Sequence, residues 1–161
     1  MSHWLDSNVF IQSHKGPYGF DMAPGFWTGI LRHAATGAIK SPMEVYHELS
    51  EQIDKKDALA IWARDHKDEI FVEPDQEIQR NYQVVGDYVA QNYEASFAAK
   101  FMNDADPWLI AHAMSDQDGL VVTLEVAQKG RQVKIPNVCD HFKVPYINTF
   151  DLIRRLKISL A

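Results

Sequence analysis

Residues 104–123 read Asp-Ala-Asp-Pro-Trp-Leu-Ile-Ala-His-Ala-Met-Ser-Asp-Gln-Asp-Gly-Leu-Val-Val-Thr and place a helix directly before a strand. A proline after an acidic residue is typical of a first helical turn, so Pro107 predicts a helix that runs through Met114. Gly119 ends that unit, and the valine-rich run 120–123 is the strongest strand signal in the chain. A helix followed closely by a buried strand favours an α/β fold.

The same alternation extends along the rest of the chain. The chain opens with Trp4-Leu5, which passes through Asp6-Ser7-Asn8 into Val9-Phe10-Ile11 and predicts a buried strand that ends in a polar turn. Further helices are predicted over 26–36, 42–53, 55–66, 76–93, 136–142 and 150–160, and further strands over 39–41, 70–72 and 144–147. Strands that alternate with helices predict a mostly parallel sheet covered on both faces, in a single domain over residues 1–161.

The composition is that of a globular domain in a reducing compartment. The chain has 161 residues, 46% hydrophobic and 24% charged, a size that buries a sufficient core without disulfides or a structural metal. Cys139 is the only cysteine, which excludes an intramolecular disulfide. The start, Met1 to Asp6, has neither a basic leader nor an apolar segment. We therefore expect a cytoplasmic protein that is neither secreted nor membrane-spanning.

The charge is distributed unevenly. The formal net charge of −6 argues against a nucleic-acid partner when it is taken alone. Residues 129–161, however, carry seven lysines and arginines against two aspartates, so this part is +5 and the remainder is −11. An excess of acids in most of the chain calls for an explanation of what those acids do.

Several acids fall where a parallel sheet binds ligands, beyond the carboxyl ends of its strands. Asp6 follows the first strand, Asp106 opens the helix before the strand at 120–123, and Glu125 follows that strand. Glu48 lies on a helix face that can turn toward the end of the first strand. Carboxylates crowded into one cleft repel one another, and a hard divalent cation such as Mg²⁺ or Mn²⁺ relieves that repulsion.

Four motifs together resemble a known family. They are Trp4-Leu5-Asp6-Ser7-Asn8-Val9-Phe10-Ile11, the helix start from Ser41 to Leu49, Ala105-Asp106-Pro107-Trp108-Leu109-Ile110-Ala111, and Val121-Val122-Thr123-Leu124-Glu125. In this order they resemble the acidic motifs of PIN-domain ribonucleases. With the Pro-Gly-Phe-Trp stretch at 24–27, the chain looks most like a PIN-like subfamily related to the VapC toxins of bacterial type II toxin-antitoxin systems. The resemblance covers nearly the whole chain and implies a PIN-like three-layer α/β/α sandwich.

Carried over residue by residue, the resemblance implies four acids that bind Mg²⁺ or Mn²⁺ and carry catalysis: Asp6, Glu48, Asp106 and Glu125. Asn8 matches the small polar position that holds Asp6, or a metal-bound water, by a hydrogen bond. The departure from the family is Glu125, where the family often has aspartate; this longer side chain reaches a metal directly or through water. Asp104 competes with Asp106 as a ligand or supports it.

The implied activity is that of an endoribonuclease in which one or two metal ions activate water for attack on an RNA phosphodiester. Because a cleft of four acids repels RNA, cations must contact the phosphates, and the candidates in the loop after Glu125 are Lys129, Arg131 and Lys134. The family further implies the role of a toxin. Its partners would be a cognate antitoxin protein, for instance a DNA-binding regulator, and a second copy in a homodimer.

Two other interpretations stay open. An aspartate after a strand also begins the motif of phosphohydrolases with an aspartyl nucleophile, with Asp6 in that role, but their second acid would stand where this chain has Asn8. Alternatively, the acids serve only as turn formers and helix caps in a non-catalytic partner-binding domain. In that interpretation Asp106 is a helix N-cap, which contributes about 1 kcal/mol without any metal.

Overall fold

The predicted strands form one parallel sheet at the centre of the molecule. The structure, a computed structural model, describes residues 1–52, 54 and 56–161. Its strands are β1 (Ser2–Leu5), β2 (Ile39–Pro42), β3 (Phe71–Val72), β4 (Gly119–Val122) and β5 (Tyr146–Ile147). All neighbouring pairs are parallel, in the order β3-β2-β1-β4-β5. The predicted α/β class with a parallel sheet is therefore confirmed.

Helices cover both faces of this sheet. In the described residues they are α1 (Ser7–Lys15), α2 (Pro24–Ala35), α3 (Met43–His47), α4 (Ala58–Asp65), α5 (Lys67–Ile70), α6 (Gln76–Asn92), α7 (Ala95–Asn103), α8 (Asp106–Ser115), α9 (Ile135–Phe142) and α10 (Thr149–Arg155). A π-helical turn, Glu48–Gln52, continues α3. The predicted helix ends at Ile53 and Lys55 lie outside the described residues. Across that same described part, no helix combines the length and apolarity needed to cross a membrane.

Two hydrophobic cores, one on each face of the sheet, give the molecule three layers. In β1, Leu5 packs into the first core and Trp4 into the second. In β4, Leu120 and Val122 face the first core while Val121 faces the second. Strands buried on both faces read as continuous apolar runs, which is why the sequence of β4 is so strongly strand-like. The predicted α/β/α sandwich is thus the observed architecture.

The first core and the second core are built from different helices. The first takes apolar side chains from α1, α2, α4 and α10, as well as from α3 and the π-helical turn after it. The second takes them from α6, α7, α8 and α9. Each helix presents one apolar face to a core. For most of these helices the sequence shows this face as apolar residues that recur every three or four positions.

The prediction of a polar turn after β1 is wrong, because a helix follows the strand. Asp6 is extended, with φ −72° and ψ 153°, and α1 begins at the next residue. Val9 and Phe10 are buried in the first core from within this helix. A short apolar run is compatible with a strand or with a buried helical turn, and the sequence alone does not separate the two.

The order in which successive strands are added to the sheet reverses at β1, while all strands stay parallel. From β1 the sheet continues through β2 and β3 on one side, and through β4 and β5 on the other. The carboxyl ends of β1 and β4 are adjacent, and the Asp6 N–H donates to the Val122 carbonyl oxygen at 3.1 Å. In open α/β sheets a crevice forms at such a point and binds ligands.

Candidate functional site

A cavity of about 270 Å³ opens beyond the carboxyl ends of β1 and β4. Its walls come from the start of α1, the π-helical turn, α7, the start of α8 and the loop after β4. Five carboxylates line it: Asp6, Glu48, Asp104, Asp106 and Glu125. The fold therefore brings the four predicted metal ligands, and the predicted supporting Asp104, around one space.

Asp6 is held rigidly at the floor of this cavity. It is only 2% exposed, and its Oδ2 accepts a hydrogen bond from the Thr123 hydroxyl at 3.1 Å. The Thr123 oxygen in turn accepts the Glu125 backbone N–H at 3.1 Å. Because that N–H occupies a lone pair of the Thr123 oxygen, the single hydroxyl proton is directed at Asp6. Thr123 thus links the end of β4 to the acid at the end of β1.

Glu48 is held from the neighbouring helix. It opens the π-helical turn, and π-helical segments often occur at functional sites. Its Oε1 accepts the Ser7 hydroxyl at 2.9 Å. Burial raises the pKa of the Glu48 carboxyl, and the hydrogen bond from Ser7 opposes this.

Asp106 is not the helix cap that one interpretation of the sequence assigns it. Ala105 occupies the N-cap position of α8, and no side chain caps that helix. Asp106 lies within the first turn, where the positive end of the helix dipole favours a carboxylate. Burial raises its pKa to about 9, and repulsion from Asp6 and Glu125 adds to the rise.

The described residues that line the cavity include five carboxyl groups but only two lysines, Lys100 and Lys134. Burial also raises the pKa of Asp6 to about 7, with a further contribution from the charge of Glu125. The ion pairs at His14–Asp57, His47–Glu51 and His66–Glu69 involve none of these five carboxyl groups. Crowded carboxylates with raised pKa values are a recurrent property of sites that bind cations or carry out proton transfer.

The donor set fits a hard divalent cation by its chemistry, since oxygen ligands are those that Mg²⁺ and Mn²⁺ prefer. As the side chains stand, no three His, Cys, Asp or Glu residues of the described chain are arranged to hold a metal ion. Two of these acids also accept hydrogen bonds from the protein through Oε1, Glu48 from the Ser7 hydroxyl and Glu125 from the Ile135 N–H at 3.0 Å. Both still line the cavity together with Asp6.

A family described as a domain of unknown function (DUF4411) matches residues 3–160. The chain belongs to the DUF4411 family. No curated protein and no solved structure matches it. The match spans the five carboxylates, so the cavity is part of the DUF4411 domain itself.

Of the remaining predicted site residues of this DUF4411 chain, some line the cavity and others do not. Asn8 is exposed and lines the cavity, but the side chain that donates to Asp6 is Thr123, so a contact of Asn8 with a metal-bound water stays a prediction. Lys134 lines the cavity as well. Lys129 and Arg131 lie exposed in the loop after β4 and are not among the described residues that line the cavity.

Sequence reasoning missed three polar residues of the DUF4411 site. Ser7 and Thr123 orient the acids, and Lys100 lines the cavity from α7. Thr123 stands at the end of a strand, immediately before the Leu-Glu pair, and that position was its only signal. For Lys100 the signal was Phe97 and Phe101 four residues apart in an alanine-rich stretch, a spacing typical of an amphipathic helix.

Proposed function

We propose that this DUF4411 chain is a metal-dependent endoribonuclease that uses Mg²⁺ or Mn²⁺. The single observation that carries the proposal is the cavity at the β1–β4 junction, where five carboxylates meet and Asp6 and Asp106 have strongly raised pKa values. Ionising these groups together is unfavourable unless a cation joins them. The resemblance of the four motifs to PIN-domain ribonucleases supplies the reaction.

The roles of the chain's own residues follow from their contacts. Thr123 aims one oxygen of Asp6, and Ser7 holds Glu48 beside the same cavity. Asp106 contributes a carboxylate from a rigid helical turn. A bound divalent cation supplies Lewis acidity and lowers the pKa of water for attack on a phosphodiester. No side-chain nucleophile is needed, and the products would carry a 5′-phosphate and a 3′-hydroxyl.

The cellular role that we propose is that of a toxin in a type II toxin-antitoxin pair, acting in the cytoplasm. The support for it is the motif resemblance to the PIN-like relatives of VapC toxins. The partners would be RNA, a cognate antitoxin such as a DNA-binding regulator, and a second copy of the chain in a homodimer. Growth arrest on expression, relieved by co-expression of the neighbouring gene, is the expected result.

Cleavage of a labelled single-stranded RNA with Mg²⁺ or Mn²⁺ tests the enzymatic proposal. EDTA should abolish cleavage, and Asp6→Asn should reduce it at least about a hundredfold, because the substitution removes a carboxylate that the cation requires. Asp87→Asn is the matched control, since Asp87 is exposed on α6 outside the cavity. Cleavage that survives Asp6→Asn or EDTA would contradict the proposal.

Two further measurements address the other interpretations. The lack of a ready-made three-ligand arrangement in the described residues is the observation that favours a non-catalytic partner-binding domain. Calorimetry that detects no binding of millimolar Mg²⁺ or Mn²⁺ would support that interpretation over both enzymes. A burst of inorganic phosphate from a small phosphoester would instead indicate an aspartyl nucleophile at Asp6.

A further inference from the structure

We propose that α7 is the substrate-binding element of the site, with Lys100 contacting a phosphate of a single-stranded RNA and Phe97 stacking on one of its bases. The inference rests on the proposed ribonuclease function and adds to it the residues that hold the strand. Lys134, on another wall of the cavity, would contact a second phosphate.

The position of α7 supports this role. Ala98 and Phe101 are buried in the second core and fix the helix against the body of the protein. Phe97 and Lys100 lie three residues apart, which places them on one face of the helix, and both line the cavity of carboxylates. The helix therefore presents an aromatic ring and a cation side by side at the rim of the acidic site.

Lys100 and Lys134 are the cations among the described residues that line the cavity. Neither lysine takes part in the ion pairs at His14–Asp57, His47–Glu51 and His66–Glu69, so neither ammonium group is tied to an acid in those contacts. They stand on separate elements, Lys100 on α7 and Lys134 at the N-cap position of α9. Because phosphates are repelled by acids, cations at two sides of the acidic centre are what a polyanionic strand requires.

Phe97 differs from the aromatic residue one turn later on the same helix. Both rings line the cavity, but Phe101 is 3% exposed and belongs to the second core, whereas Phe97 is only partly buried. A partly exposed aromatic ring beside a cation is the usual arrangement for binding unpaired bases, which stack on it with little dependence on sequence. Duplex RNA keeps its bases stacked on one another and would not use this ring.

The test is the affinity for a fluorescein-labelled single-stranded RNA, measured by anisotropy with Mn²⁺ in the Asp6→Asn background. Lys100→Ala should weaken binding about fivefold or more and make the dependence of log affinity on log salt shallower by about 0.7, the amount expected for one phosphate contact. Lys100→Arg should preserve both values. Phe97→Leu should weaken binding about tenfold without changing the salt dependence.

Arg32→Ala is the matched control because it also removes one positive charge. Arg32 is exposed in the last turn of α2, which leads to the amino end of β2, so it lies at the edge of the sheet opposite the cavity. Each variant is accompanied by its melting temperature, so that loss of fold is not mistaken for loss of binding. In steady-state cleavage with Asp6 intact, the Lys100 and Phe97 variants should have a raised KM and a nearly unchanged kcat, because the substitutions weaken binding.

The possible results separate this inference from the proposed function. One possible result is that the protein cleaves RNA with metal, but Lys100→Ala and Phe97→Leu bind and cleave it as well as Arg32→Ala does. That result would overturn the role of α7 and leave the proposed ribonuclease function standing. Binding that depends on Lys100 and Phe97 without any cleavage by the unsubstituted protein would support α7 and overturn the ribonuclease. If the protein neither binds nor cleaves the RNA, both proposals are overturned.

Discussion

At the scale of single residues, two hydroxyl groups donate hydrogen bonds to acids of the site. Thr123 is 2% exposed and is the side chain that donates to the buried carboxylate of Asp6. Ser7 does the same for Glu48. A carboxylate that keeps one oxygen hydrogen-bonded has its other oxygen fixed in direction, which is what a ligand of a small cation needs.

Thr123→Val should therefore impair the site without disturbing the strand. The substitution keeps the shape of the side chain but removes the only side-chain donor to Asp6 in the described residues, so the ionised form of this buried acid becomes less favourable. We expect kcat/KM for metal-dependent RNA cleavage to fall at least about tenfold. Thr123→Ser should retain most of the activity because it keeps the hydroxyl.

The control for this prediction is Thr28→Val, since Thr28 is exposed on α2. Equal cleavage by Thr123→Val and the unsubstituted protein would show that the hydrogen bond to Asp6 has no part in the reaction. The metal concentration that gives half-maximal activity provides an independent check, because it should rise in Thr123→Val and stay constant in Thr28→Val.

The acids themselves could be predicted from sequence, whereas the groups that orient them could not. An acid directly after a strand of a parallel sheet has a defined location, so the positions of Asp6 and Glu125 followed from the alternation of elements. The partner of Asp6, however, lies 117 residues away, and that of Glu48 lies 41 residues away. A hydroxyl residue carries no mark in the sequence that identifies such a distant acceptor.

At the scale of elements, the predicted strands and most of the predicted helices are present, and α7 is the clearest omission. Its N-cap residue is Glu94, which makes no capping hydrogen bond, and no proline or glycine marks its ends. Helices that lack such signals are recognised only by their apolar face. The element that we propose to bind substrate was therefore the one least visible in the sequence.

The contact between α2 and the C-terminal segment gives a prediction about stability. The Gly25 N–H donates to the Leu160 carbonyl oxygen at 3.2 Å, so the segment lies directly on α2. A Cβ atom built at Gly25 would overlap the carbonyl oxygens of Ser159 and Ala161. Since backbone atoms are involved, the overlap is relieved only by displacing the segment.

Gly25→Ala should thus lower the free energy of unfolding by about 1–3 kcal/mol, the usual effect of inserting a methyl group into a packed contact. Urea denaturation measures the change. Gly130→Ala is the control, because a Cβ atom there meets no heavy atom within 4 Å. A Gly25→Ala protein as stable as the Gly130→Ala protein would mean that the C-terminal segment does not stay on α2 in solution.

At the scale of the whole molecule, the cavity makes the stability of the metal-free protein depend on pH. Asp6 and Asp106 have pKa values of about 7 and about 9 in the folded chain, against an ordinary value of 3.8. Above that ordinary value the unfolded chain has released both protons, while the folded chain still holds them. The folded state therefore binds more protons, and stability must fall as the pH rises through this range.

Asp106→Asn should raise the melting temperature of the metal-free protein at pH 8 and reduce the loss of stability between pH 5 and pH 8. The amide is neutral at every pH, so it also removes part of the repulsion on Asp6. Thermal melts in EDTA give the comparison, with Asp87→Asn as the exposed control. If Asp106→Asn and the unsubstituted protein have identical melting curves across this pH range, the repulsion between Asp106 and the other acids of the cavity does not affect stability.

The junction of β1 and β4 also sets when the site comes into existence. β1 lies in the middle of the sheet, and both β4, one of its two neighbours, and the hydroxyl that orients Asp6 belong to residues 119–123, which are synthesised more than a hundred residues after β1. While the chain is being synthesised, Asp6, Glu48 and Asp106 precede the element that gathers them. An activity located in this cavity therefore cannot arise before residues 119–123 have left the ribosome and paired with β1.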